Sequence, residues 1–453
     1  MKRKSFEMDM TRGNLPQKIL TYALPFIATG TLQLLFNTAD VIVVGRFAGV
    51  QALAAVGSTS SLINLMINLF MGLAVGVSVL VSQYYGANNH KGVHQTVHTA
   101  ITVAGICGIV VGVFGIIAAK KLLQLMGSPH DVIHLATQYL RIYFLGAPFL
   151  LLYNFGAAIL RAVGDTKRPL FFLTVAGIVN VILNLLLVTQ FHLGVAGVAI
   201  ATTISNGISA FLVIFCLHQS DSSYRLSFGN LKIHKSKLRD MIKIGLPAGI
   251  QGSLFSISNV LIQSTVNSFG SVVMAGNAAA HNIEGFTYTA MNSVSQTALA
   301  FTGQNIGGKQ YQNLKTVFLW CSIYVTLIGL ILGGGSYLFA TPLIRIFNAD
   351  PVVIQAGTTR MLYICVPYFL IGLSEVFVGM LRGMGYSLLP MIISIVGICG
   401  LRVAWIYSAF LWFPTLSTVY LSYPISWAVT GITQAICLFI ILKNFTKSKK
   451  EGI

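Results

Sequence analysis

The chain has 453 residues, 55% of them hydrophobic and only 9% charged, where ordinary soluble domains carry roughly 25% charged residues. That composition excludes a soluble globule, a disordered chain, a collagen and a coiled coil, so membrane spans are counted instead of domains. The 29 Lys and Arg against 11 Asp and Glu give a formal charge of +18, which in a soluble protein would point to nucleic acid and here has to be mapped onto loops first.

Residues 1–14 form a basic, polar tail with no small-residue cleavage pattern behind it, and no removable signal peptide is expected. Twelve apolar segments follow, near 15–45, 52–81, 95–118, 132–157, 168–189, 195–217, 240–266, 276–301, 316–339, 355–381, 386–410 and 419–442. At about 20 residues per crossing each can span as a helix, and these unbroken runs lack the alternation of barrel strands. With the N-terminus inside, 22 of the 29 bases fall on inner segments. Six fall outside (Arg46, Lys120, Lys121, Arg141, Arg345, Arg360), and Arg402 sits within a span. The positive-inside rule places both termini in the cytoplasm, so the charge is a topology signal facing anionic lipid and no nucleic-acid partner is expected. Cys107, Cys216, Cys321, Cys365, Cys399 and Cys437 lie singly in apolar runs and read as core side chains, not as disulfides or metal ligands.

The chain repeats itself at an offset of 221 to 222 residues. Leu24-Pro25 matches Leu246-Pro247, Asn37 matches Asn259, Phe47 matches Phe269, and Gln83 with Gly86 matches Gln304 with Gly307. LRAVGDTKRP (160–169) matches LRGMGYSLLP (381–390). Six spans per repeat is an even number, so both halves enter the membrane in the same direction, related by an axis along the membrane normal, which is the plan of a two-bundle transporter, although channels and scaffolds also carry repeats. The expected organisation is a tail (1–14), an N-lobe (15–217), a basic linker (218–239), a C-lobe (240–442) and a second tail (443–453), with both tails and the linker cytoplasmic.

Eight of the 11 acids lie in tails or loops, leaving Asp40, Glu284 and Glu375 inside spans. Intramembrane carboxylates are costly, so each calls for a reason. Asp40 ends a stripe of Thr29, Gln33, Asn37 and Asp40 on one helical face. Asn180 and Asn184 on the fifth span, with Thr202 and Asn206 on the sixth, could supply partners. Held among neutral amides, the carboxylate can exchange a proton or bind a desolvated cation; the plain alternative is a static buried acid. At the repeat offset Asp40 returns as Ile262, so ion coupling is placed in the first half.

In the second half Asn277, His281, Glu284 and Tyr288 share a face of the eighth span. Glu284 and Arg402 fall at a similar depth, which suggests an ion pair between them. Glu375 lies too deep towards the inner side to meet Arg402, and an inter-helix hydrogen bond is its plain alternative. Tyr288, Met291, Trp405 and Tyr407 are candidate cavity walls for a flat, often cationic solute, with simple packing as the competing reading.

Several patterns are rejected. GQNIGGKQ (303–310) nearly spells a phosphate-binding loop, but Gln310 stands where a Ser or Thr would hold Mg²⁺ and a membrane span precedes it. His90, His94 and His98 have ligand-like spacing with no neighbouring carboxylate, and no metal site is expected. Gly72/Gly76 and Gly329/Gly333 read as packing devices. No GxSxG or HExxH pattern occurs, so an enzyme is not expected.

The stretch LPFIATGTLQLLFNTADVIVVGRFAG with ALAAVG and SQYYGA, its echo GLPAGIQGSLFSISNVLIQ with GQNIGG, and the twin LRAVGD and LRGMGY motifs resemble the MATE (multidrug and toxic compound extrusion) family of bacterial exporters, from about residue 14 to 442. The resemblance implies an all-α polytopic fold: twelve transmembrane helices in two six-helix bundles forming a V, related by a pseudo-two-fold axis along the membrane normal. It also implies export of organic, often cationic compounds by antiport against H⁺ or Na⁺ at the bacterial plasma membrane. Asp40 looks like the family's first-helix coupling carboxylate, Asn180 and Thr202 like its polar partners, and Tyr139 and Asn154 like further members; Asn37 and Asn184, read from helical spacing, are expected in the same ion-coupling set. Gln33, Asn259, His281, Glu284, Tyr288, Glu375, Arg402 and Trp405 are expected in the substrate cavity or a C-lobe polar network. Asn184 stands where some members carry a second acid, which weakens a two-carboxylate relay; the seventh-helix acid of another branch is absent, with polar Ser256 and Asn259 nearby, so that branch's C-lobe Na⁺ site is not expected unless Glu284 and Glu375 rebuild it.

The expected function is therefore ion-coupled multidrug antiport by a monomer in contact with membrane lipids, with small organic molecules as substrates and no cofactor beyond the coupling H⁺ or Na⁺. The alternative is a flippase for lipid-linked saccharides, which would want a cavity rich in Arg and Lys. Here one mid-span base, Arg402, faces three acids.

Overall fold

A chain in lipid has to satisfy its backbone N–H and C=O groups internally, and one with these apolar runs can do so only as helices. The computed structural model describes residues 6–126 and 131–448, and among them there is no strand. The tail bases Lys2, Arg3, Lys4, Lys449 and Lys450 lie outside the described residues.

The first half comprises α1 (Leu15–Val43), α2 (Val50–Gly86), α3 (His90–Leu125), α4 (Ile133–Leu145), α5 (Ala147–Ala162), α6 (Lys167–Leu185) and α7 (Gly194–His218). A 3₁₀ turn at Phe228–Asn230 lies in the linker. The second half begins with α8 (Lys235–Asn267), α9 (Ser271–Gly307) and α10 (Asn313–Ile328). The short α11 (Gly335–Leu338) and α12 (Ala340–Arg345) precede α13 (Pro351–Cys365) and α14 (Phe369–Gly383). Last come α15 (Leu388–Ser394), α16 (Leu401–Ile406), α17 (Ala409–Trp412) and α18 (Leu416–Ser448). π-Helical turns extend α1, α6, α10 and α15.

Among the described residues eight helical stretches are long and apolar enough to cross a membrane, and ten if two bent pairs count as one span each. With 33 and 37 residues, α8 and α9 also have the length. They are less apolar because they carry Gln251, Ser253, Ser256 and Asn259, and Asn277, His281 and Glu284. Counting them completes the twelve spans.

Segments 132–157 and 355–381, read above as continuous, are both broken: α4 and α5 meet at 47°, α13 and α14 at 44°. Pro148 opens α5 and Pro367 lies between α13 and α14. Each proline lacks an N–H and crowds the preceding turn, so the hydrogen-bond ladder cannot run through.

The repeat extends to backbone conformation. Left-handed φ values recur 221 residues apart at Gly49 (+89°) and Gly270 (+97°), at Asn88 (+51°) and Lys309 (+55°), and at Gly164 (+97°) and Gly385 (+95°). A lysine is not chosen for this region. Its presence at the position equivalent to Asn88 shows that the turn geometry is kept even where the residue type is not.

Packing divides the chain into two compact units, one of Ala28–Gly249 with the described residues before Asp9, the other of Asp9–Ile27 with the residues from Ile250 on. Both changes of unit within a helix fall just after a helix-interior proline, Pro25 in α1 and Pro247 in α8. In the second unit, Met10 N–H donates to Gln304 Oε1 (3.1 Å) and Asn305 Nδ2 donates to Met10 O (2.9 Å), which ties the tail to the end of α9. GQNIGGKQ is therefore a helix terminus holding a tail.

In the first unit Gly72 and Gly76 of α2 face Gly245 and Gly249 of α8, and a Cβ on Gly72 would land on the Gly249 backbone. Backbones this close exclude any larger residue. Gly72→Val is expected to cost about 3 kcal/mol, seen as a lower melting temperature of the purified protein in detergent. Gly105→Ala, which meets nothing within 4 Å, should stay within about 0.5 kcal/mol of wild type.

Candidate functional site

The polar stripe of α1 does not turn inward as a whole. Thr29 is buried, Gln33 and Asn37 are exposed, and Asp40 is half-buried against α6 and α7. Asn184 Nδ2 donates to Asp40 Oδ1 and also, at 3.1 Å, to Asn180 Oδ1. Thr202 Oγ1 stands 3.5 Å from Asp40 Oδ2. Asn180 Nδ2 lies 3.4 Å from both Thr202 Oγ1 and Ser205 Oγ. Residues from the first, fifth and sixth spans thus meet in one polar cluster. Every group touching the carboxylate is neutral, and among the described residues no ion pair includes Asp40. Asn184 uses both donors of its amide nitrogen, and its Oδ1 is buried without a donor among the described residues.

Tyr139 is buried and stacks on Tyr143 with ring centroids 6.2 Å apart, and both phenols lie within the field of Asp40. Asn154 does not join the cluster, because its Nδ2 donates to Leu150 O (2.8 Å) one turn back on α5. Sequence reasoning missed Ser205 and Tyr143, although Ser205 sits one helical turn from Thr202 and Tyr143 one turn from Tyr139.

In the second unit the pairing inferred for Glu284 is wrong. Its carboxylate is gripped by Arg360, with Nε to Oε1 at 2.8 Å and Nη2 to Oε2 at 2.7 Å. Arg360, placed above on the outer side, is 4% exposed and ten residues into α13. Depth alone suggested Arg402, but α13 packs directly on α9, and adjacency decides which charges meet. Arg360 Nη1 also donates to Asn277 Oδ1 (2.7 Å), which accepts from Tyr420 Oη (3.0 Å). Asn277 Nδ2 donates to Gln263 Oε1 (2.7 Å). His281 is exposed, with Nδ1 3.8 Å from Glu284 Oε2.

Arg402 is buried and has no carboxylate partner among the described residues. It donates to Ser426 Oγ (3.1 Å), reaches Asn259 Oδ1 at 3.4 Å, and sits 4.1 Å over the Tyr423 ring. Glu375 is buried near Arg382, which donates to Gln251 Oε1 (2.8 Å) and is itself buried despite its expected place at the inner end of the span. Tyr288 lies by Glu375 and Arg382 and is partly open. Trp405 is tied through Nε1 to Thr418 O (2.9 Å), and Met291 is buried in the core beneath Gly372.

In the loop before α6, burial raises the Asp165 carboxyl above its ordinary range, against the pull of Arg168 and the N–H groups of Lys167 and Arg168. In the row His90, His94 and His98, the last ring is held on both sides: its Nδ1 is 2.8 Å from His94 O, and its Nε2 accepts from Ser227 N–H (3.0 Å). Both ring nitrogens are thereby occupied, and among the described residues no group of His, Cys, Asp or Glu is placed to hold a metal.

The MatE family model matches the chain twice, over residues 25–186 and 247–408. The chain belongs to the MATE family. The two matches are 222 residues apart, one copy per half, as the repeat requires. Among relatives of this MATE chain, the probable multidrug resistance protein YoeA of Bacillus subtilis is 30% identical over 423 residues, 90% of each chain. The FAD transporter of Shewanella oneidensis is 25% identical over 367 residues, 79% of this chain and 80% of that one. An outward-facing MATE family transporter of the MOP superfamily shares the fold with a TM-score of 0.91 at 22% identity, over 98% of this chain and 100% of that one. The protein is thus a multi-span membrane protein of a bacterial transporter family, with the two-lobe MATE fold.

Proposed function

We propose that this MATE protein is a secondary active exporter of organic, often cationic, amphipathic molecules, driven by antiport of H⁺ or Na⁺ through alternating access. It works as a monomer in the bacterial plasma membrane, in contact with lipid, with both termini cytoplasmic and no cofactor beyond the coupling ion. The observation that carries this reading is Asp40: a half-buried carboxylate touched, among the described residues, by neutral Asn184 and Thr202, beside a buried oxygen of Asn184 that lacks a donor among those residues. A negative charge in neutral surroundings takes up a proton or a desolvated cation, and the orphaned oxygen adds a ligand for either. Coupling then requires that the ion bind Asp40 differently in the two access states. Glu284, neutralised by Arg360, serves structure in this scheme.

The flippase alternative has more bases to draw on than the sequence suggested. Among the described residues, however, Arg360 is paired with Glu284 and Arg382 lies near Glu375 without an ion pair, while Arg402 has no carboxylate partner. In proteoliposomes, dye export should run when an H⁺ or an Na⁺ gradient is imposed and stop when it is collapsed. Export indifferent to both gradients, or lipid scrambling with no dye transport, would overturn the reading.

A further inference from the structure

A cavity of about 610 Å³ lies away from the Asp40 cluster, where the start of α3, the end of α7 and the linker meet within the first unit. Its wall includes His90, Lys91 and His94 from α3, His218 from α7, and Arg225 with Ser222 from the linker. No carboxylate lines it. Two acids adjoin the wall: Asp221 precedes Ser222 in the linker, and Glu7 accepts from Ser222 Oγ and is further held by Tyr85 Oη (2.7 Å) and Tyr224 Oη (3.0 Å). His218 Nδ1 is 2.9 Å from Leu226 O, which fixes it as the protonated nitrogen. His98 anchors Ser227 from beneath, and His94 stacks on His98 at 4.0 Å. The linker is therefore pinned over a row of cationic and imidazole donors.

We propose that this cavity binds a phosphate-bearing organic ligand, the phosphate resting on Lys91 and Arg225. Two permanent cations, the imidazoles of His90 and His94, the lining residues Ser223 and Ser227 and no carboxylate among the lining residues suit a dianionic oxyanion and repel a metal ion. The volume exceeds that of a bare ion and falls in the range of small-molecule pockets. One end of a helix bundle at the membrane border could meet this chemistry as a phospholipid headgroup or as a soluble phosphomonoester. Occupancy would clamp the linker to α3 and α7.

The test uses the full chain in nanodiscs and records the melting temperature. One arm adds inorganic phosphate, glycerol 3-phosphate or AMP to phosphatidylcholine discs; the other builds phosphatidic acid into the discs. A concentration-dependent rise in either arm is expected, and the arm that responds identifies the source. Lys91→Gln and Arg225→Gln, both at exposed positions, should melt like wild type without ligand and weaken the apparent affinity about tenfold each. No rise in either arm, or a rise that both variants retain in full, would overturn the proposal.

Discussion

Arg360→Met is expected to destabilise the protein by about 3–5 kcal/mol, because it leaves Glu284 as a buried charge without its partner. The two-pronged contact, at 2.8 and 2.7 Å, satisfies both carboxylate oxygens. Asn277 Oδ1 would also lose one donor and keep Tyr420 Oη, at 3.0 Å, as its remaining donor among the described residues. His281 cannot replace the guanidinium: it is 3.8 Å away with a side chain 71% exposed. The decisive comparison is the double variant Arg360→Met with Glu284→Leu. Replacing a whole buried pair by apolar residues is close to neutral, so thermal unfolding in detergent should show much of the loss recovered. A double variant as unstable as the single one would mean that the arginine acts through packing and not through its charge.

Asp40→Asn is expected to abolish uphill export, with dye efflux under either gradient falling to the rate of protein-free liposomes. The substitution keeps the shape and the contacts with Asn184 and Thr202 while removing the site that gains and loses charge. Its melting temperature should therefore stay near that of wild type, which separates a coupling defect from misfolding. Downhill exchange of labelled against unlabelled dye should persist, since no ion gradient drives it.

Much of the first half of this site was legible because a helix turns spacing into direction. Asp40, Asn180, Asn184 and Thr202 were each read from single helical faces, and they meet in one cluster. Gln33 and Asn37 shared the stripe and stayed exposed, since periodicity gives a face and not its neighbour. The second half was less legible for the same reason. Glu284 and Arg402 were matched on depth, but the contact of α9 with α13 handed Glu284 to Arg360, a residue counted as peripheral from its place near a span's end. The breaks at 47° and 44° were also hidden, because Pro148 and Pro367 sit inside runs whose hydropathy is unbroken. The repeat, in contrast, was fully visible, and it reappears in paired φ values and in the doubled family match.

The most direct test of Asp40 as the coupling site is the ion released when substrate binds. Purified protein in weakly buffered detergent solution would be mixed with a cationic dye, while a pH indicator reports protons and preloaded ²²Na⁺ reports sodium. Wild type is expected to release one of the two ions in proportion to dye bound, and Asp40→Asn to bind dye and release neither. Equal release of the same ion from both proteins would contradict the account.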